Sequence, residues 1–99
     1  MNTLSALVVD DSKSARFFLR KALEEQEVAV DLVESGFDAL KRVGQKRPDV
    51  VFMDHQMPEM DGLETMKRMK GDPETESIPV VMCTSTDEAA FLQRVHELG

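Results

Sequence analysis

Three aspartates stand where short apolar runs end. Ala6–Val9 runs into Asp10 and Asp11, and Val50–Met53 runs into Asp54. A further run, Val80–Cys83, ends in Thr84 and Ser85. If these runs are strands of one sheet, three carboxylates and two hydroxyls converge on a small region. Carboxylates that close repel unless a proton or a cation intervenes. All-oxygen ligation with room for several waters is what Mg²⁺ prefers, and an ion so held can bridge to phosphate oxygens. Each residue also has a plainer reading. An Asp pair after a strand can cap the next helix, an Asp at a strand end can serve a turn, and Thr favours sheets. Joint placement at three strand ends is what chance capping does not require.

The elements that must position these groups follow from periodicity. Ala6–Val9 is apolar throughout, as suits a strand buried on both faces of a parallel sheet. Ala15, Phe18, Leu19, Ala22 and Leu23 then recur at helical spacing, with Ser12 and Ser14 available as caps. Val28–Val33 reads as a second strand broken at Gly36, and Ala39, Leu40 and Val43 mark a short helix that stops near Gly44. Pro48 precedes the run Val50–Met53. A loop with Pro58 and Asp61–Gly62 leads to a helix with Leu63, Met66 and Met69 facing inward. Gly71–Ser77 is expected as a surface loop, Val80–Cys83 as the fourth strand, and Asp87 as the cap of a last helix carrying Ala89, Leu92, Val95 and Leu98. Four β-α units in succession imply right-handed crossovers, hence an α/β fold: a doubly wound parallel sheet in three α/β/α layers. In such a sheet, sites lie outside the carboxyl ends of the strands, near where strand order reverses.

Ninety-nine residues make one domain, 1–99. The net charge of −7 argues against nucleic acid and against an anionic membrane surface, and favours a cation or a partner with a basic face. Cys83 is the single cysteine, which excludes an internal disulfide and suits a reducing, cytoplasmic setting. The first residues lack the basic start and apolar run of a signal peptide, and no segment approaches the roughly 18 apolar residues of a membrane span. Lys41, Arg42, Lys46 and Arg47 form the main basic cluster, read as a solvated helix end. His55, beside Asp54, is expected to point away from it.

Asp10–Asp11, the string Asp54-x-x-Met57-Pro58-x-Met60-Asp61-Gly62, and Pro79–Ser85 together resemble a response-regulator receiver domain, in register from about residue 4 to residue 99. The resemblance implies that Asp54 accepts a phosphoryl group from a phosphohistidine on a sensor histidine kinase or phosphotransfer protein. It implies Mg²⁺ on Asp10, Asp11, Asp54 and the backbone carbonyl of Gln56. Thr84 becomes the switch hydroxyl, and Ser85 the small neighbour that keeps the phosphoryl site open. Such a chain is a signalling module that catalyses its own phosphorylation and dephosphorylation, not an enzyme with an external substrate.

One departure bears on these expectations. The family has a fifth strand ending in a Lys, then a fifth helix, and this sequence stops at Gly99 before them. On that comparison the fold expected is a flavodoxin-like sheet lacking the fifth β-α unit, a domain incomplete at its C-terminus. Metal binding then survives while transfer is impaired unless another chain supplies the Lys, and Val80–Cys83 becomes an apolar edge open to self-association. The alternatives are a phosphorylation-independent interaction module of receiver fold and an inactive fragment. A Mg²⁺-dependent phosphohydrolase would need a second Asp two residues beyond Asp54, where Gln56 stands, and no Gly-rich loop follows the first strand to bind a nucleotide.

Overall fold

The computed structural model of the chain describes residues 4–55 and 57–83. The expected last helix, with Thr84 and Ser85, lies outside the described residues, as does Gln56. Strands and helices alternate: β1 (Ser5–Val9), α1 (Lys13–Glu24), β2 (Ala29–Val33), α2 (Gly36–Gln45), β3 (Val50–Asp54), α3 (Gly62–Lys70) and β4 (Val80–Cys83). The strands form one parallel sheet in the order β2-β1-β3-β4. Chain order therefore reverses beside β1, which places a switch point between the ends of β1 and β3.

Alternation along the central strands divides the core in two. Ala6, Val8, Val50 and Phe52 face α1, where Leu19, Ala22 and Leu23 cover them. Leu7, Val9, Val51 and Met53 face the other side, under Ala39 and Val43 of α2 and Met69 of α3. Every residue of β3 is buried, as a central parallel strand covered on both faces requires. Each large side chain so buried contributes about 1.5–3 kcal/mol. Among the described residues, no helix is long and apolar enough to cross a membrane.

Each described helix starts at a side-chain cap. Ser12 accepts from Ala15 N–H (3.3 Å), Ser35 from Asp38 N–H (3.1 Å) and Asp61 from Glu64 N–H (2.8 Å). Gly36, expected only as a strand breaker, is the first residue of α2 and is buried against α3, where a Cβ would overlap the Thr65 hydroxyl.

The inward face of α3 differs from expectation. Met69 is fully buried, but Leu63 is 40% exposed, and Gly62 and Thr65 join Met69 on the buried line. The cause is local. The helix begins so close to the sheet that only glycine fits at its first position, which turns Thr65 inward. Thr65 tolerates burial because its hydroxyl donates to the Asp61 carbonyl (2.8 Å).

The loop before β4 is also less loose than its composition suggests. Thr75 is buried, its hydroxyl donating to the Met69 carbonyl (2.6 Å). Lys70 Nζ donates to the carbonyls of Glu76 (3.0 Å) and Ile78 (2.8 Å). Arg47 donates to the Glu74 carbonyl (3.0 Å) and to Ser77 Oγ. The basic cluster is thus not merely a solvated end: Arg47 clamps this loop, and Arg42 pairs with Asp31 (3.5 Å).

Candidate functional site

β1 and β3 lie side by side with Val9 opposite Met53, so the residues next in line are Asp10 and Asp54. Both are buried, at 5% and 6% exposure, whereas Asp11 is exposed. One carboxylate oxygen from each of the three lies within 4.8 Å of the others. The three aspartates singled out in the sequence thus share one site at the topological switch point.

Asp10 is held at three atoms. Its N–H donates to the Val33 carbonyl of β2 (3.2 Å), its carbonyl accepts from Arg16 Nη1 (2.8 Å), and its Oδ1 accepts from Ser12 N–H (2.8 Å). Burial raises its carboxyl above the ordinary carboxylate range, and the Asp11 charge adds to the rise. The Ser12 N–H, a hydrogen bond with Asp54 and the Arg16 charge oppose it. Two carboxylates this close repel unless a proton or a cation comes between them. A buried, all-oxygen pair with a third carboxylate at the solvent side suits a hard divalent cation such as Mg²⁺.

Beyond Asp54 the chain makes a compact loop. Met60 N–H bonds to the Pro58 carbonyl (2.8 Å) across Glu59, whose φ is 68°. Gly62 N–H donates to the His55 carbonyl (3.0 Å), and a Cβ on Gly62 would overlap the Asp54 carbonyl. Asp61 and Gly62 therefore anchor the far end of the loop directly behind Asp54, one as the α3 cap and the other by its lack of a side chain. His55 is exposed, and Met57 and Met60 are buried packing residues.

Two contributors were not picked out from the sequence: Arg16, which grips the Asp10 carbonyl, and Gly62 in its role behind Asp54. Arg16 carried a signal. The first turn of α1 has no acidic residue, and a cation near a helix N-terminus opposes the helix dipole unless something else holds it. Gln56, Thr84 and Ser85, also named as site residues, lie outside the described residues.

Comparison with known proteins agrees with this geometry. The family model "response regulator receiver domain" matches residues 6–99. Protein PilH of Pseudomonas aeruginosa is 37% identical over 82 residues, which cover 83% of this chain and 68% of PilH. Response regulator MprA of Mycobacterium tuberculosis is 33% identical over 84 residues, covering 85% of this chain but 36% of MprA, so the chain spans about a third of that relative. Among solved structures, the N-terminal domain of a response regulator receiver protein from Methanoculleus marisnigri superposes with a TM-score of 0.83 at 32% identity, covering 97% of this chain and 78% of that one.

Proposed function

The chain belongs to the response regulator receiver family, and from that premise we propose that it is a phosphorelay switch with Asp54 as its phosphoryl acceptor. The observation that carries the reading is the convergence of buried Asp10 and Asp54 with exposed Asp11 at the β1/β3 switch point. An Asp54 carboxylate oxygen attacks the phosphorus of a phosphohistidine on a sensor kinase or phosphotransfer protein. A P–O bond forms, the P–N bond breaks, and the product is an acyl phosphate. A carboxylate is a weak nucleophile, so the step depends on alignment and on neutralising charge on the phosphoryl oxygens. Mg²⁺, when bound, supplies that neutralisation.

The remaining steps are the work of the chain's own residues. Asp10 and Asp11 would hold the ion, with the Asp54 carboxylate and, by the family resemblance, the Gln56 carbonyl completing the protein ligands. The Gly62 contact fixes the backbone of Asp54. Thr84 is assigned as the hydroxyl that turns toward the arriving phosphoryl group, and Ser85 as its small neighbour. Phosphorylation then shifts a two-state equilibrium of the module.

Incubation with Mg²⁺ and acetyl phosphate, followed by intact-mass measurement, tests this. A single phosphate adduct on the wild type, absent from Asp54→Ala and from a sample in excess EDTA, is expected. No adduct on folded chain with Mg²⁺ bound would contradict the phosphorelay reading and favour the phosphorylation-independent interaction module or the inactive fragment.

A further inference from the structure

The site described above uses Asp10, yet what aims Asp10 lies one helical turn into α1. Arg16 is mostly withdrawn from solvent, its side chain 16% exposed. It spends one guanidinium nitrogen on the Asp10 carbonyl at 2.8 Å and places the other 3.8 Å from Glu34 Oε2. The two contacts differ in kind. Glu34 is 69% exposed, so that ion pair is weak and screened. The bond to Asp10 is charge-assisted and part-buried. On its other side Arg16 borders a polar cleft of about 440 Å³ shared with Glu34, Lys41 and Arg42, and a Met in its place keeps most of the aliphatic stem that packs.

We propose that Arg16 is a positioning residue for the divalent-cation site: by holding the Asp10 carbonyl, it fixes the backbone from which the Asp10 carboxylate reaches Asp54. Together with the Val33 carbonyl and the Ser12 N–H, it completes a three-point grip on one ligand. The inference rests on the reading that Asp10, Asp11 and Asp54 bind a divalent cation.

The sign of the effect separates positioning from simple electrostatics. Arg16 is a fixed positive charge near a cation site. If it acted only through that charge, its removal would tighten cation binding. If it positions Asp10, its removal loosens binding, because supports behind a ligand typically govern affinity by 10–100-fold. A purely structural role would lower the melting temperature and leave affinity unchanged.

The experiment titrates the whole chain with Mn²⁺, counting free ion by its EPR signal, for wild type, Arg16→Met, Arg16→Lys and Glu34→Gln, with a thermal melt of each. Arg16→Met is expected to bind Mn²⁺ about tenfold more weakly. Arg16→Lys, whose ammonium sits on a flexible stem without the fixed fork of a guanidinium, holds the carbonyl less firmly and should fall between it and the wild type. Glu34→Gln should stay within about twofold of wild type. Unchanged or tighter binding by Arg16→Met overturns the proposal. Should Arg16→Met fail to fold, the Lys variant decides: weaker binding supports positioning, and affinity equal to wild type overturns it. Absence of Mn²⁺ binding by the wild type itself would instead overturn the cation-site reading, and this inference with it.

Discussion

The α-carbon of Gly62 packs against the carbonyl of Asp54 so closely that no Cβ can be placed between them. The residue assigned as acceptor is thereby braced from behind by the first residue of the next helix, whose N–H is itself bonded to the His55 carbonyl. Gly62→Ala must push backbone against backbone, because Asp54 lies in a fully buried strand that cannot yield. A loss of about 2–3 kcal/mol in urea unfolding is expected, as for overpacking elsewhere. In whatever fraction remains folded, phosphorylation by acetyl phosphate should be slower than in wild type.

Asp10 gives the stability a pH dependence. Its folded carboxyl titrates above its unfolded one. Between those two values the native state holds more proton than the unfolded state, so stability falls as pH rises through that window, and the cost is fully present above the folded value. Asp10→Asn, which cannot ionise, should therefore raise the metal-free melting temperature at pH 7 and show no gain below the carboxylate range. The same variant should lose the stabilisation that millimolar Mg²⁺ gives the wild type. Melts at pH 3.5 and 7, with and without Mg²⁺, check both signs.

Two glutamates occupy backbone conformations that glycine adopts more easily. Glu27 (φ 62°) lies in the turn after α1, where Val28 N–H bonds back to the Leu23 carbonyl (3.1 Å), and Glu59 (φ 68°) sits in the tight turn after β3. Both are exposed, so a side chain there contributes little packing. Glu27→Gly should stabilise the chain by about 0.5–1 kcal/mol, since the strain relieved exceeds the entropy lost. Glu59→Gly should give a similar gain, read as a higher urea midpoint at unchanged slope.

Phe52 is the largest fully buried side chain described and sits mid-β3 under α1. Phe52→Ala should cost about 3–5 kcal/mol through lost burial and the cavity left behind. For a domain this small that is a large share of the total, so the variant should be substantially unfolded at 37 °C by circular dichroism.

Much of this was legible in the residues. Apolar runs ending in Asp10 and Asp54 marked strands and a site at once, because a parallel sheet is buried on both faces and delivers its chemistry at the strand ends. Ser12 read correctly as a cap. Leu63 did not read correctly, because periodicity places an apolar stripe without knowing that Gly62 must touch the Asp54 carbonyl, and that contact rotates the helix to bury Thr65 instead. Glu27 and Glu59 gave no warning of their left-handed conformations, since glutamate carries no turn signal. Arg47 was legible only as surface charge, and Arg16 only as a cation unfavourably placed near the start of α1, which names no partner. Their partners are backbone carbonyls brought near by the fold, and carbonyls have no signature in a sequence.

The account turns on Asp54 as the acceptor, and site mapping tests it most directly. The chain would be phosphorylated with acetyl phosphate and Mg²⁺, reduced with borohydride to convert an aspartyl phosphate to homoserine, digested, and sequenced by mass spectrometry. Homoserine at position 54 alone, and none when Mg²⁺ is withheld, is the predicted result. Homoserine at Asp10 or Asp11, or at no aspartate of a folded and Mg²⁺-bound chain, would contradict it.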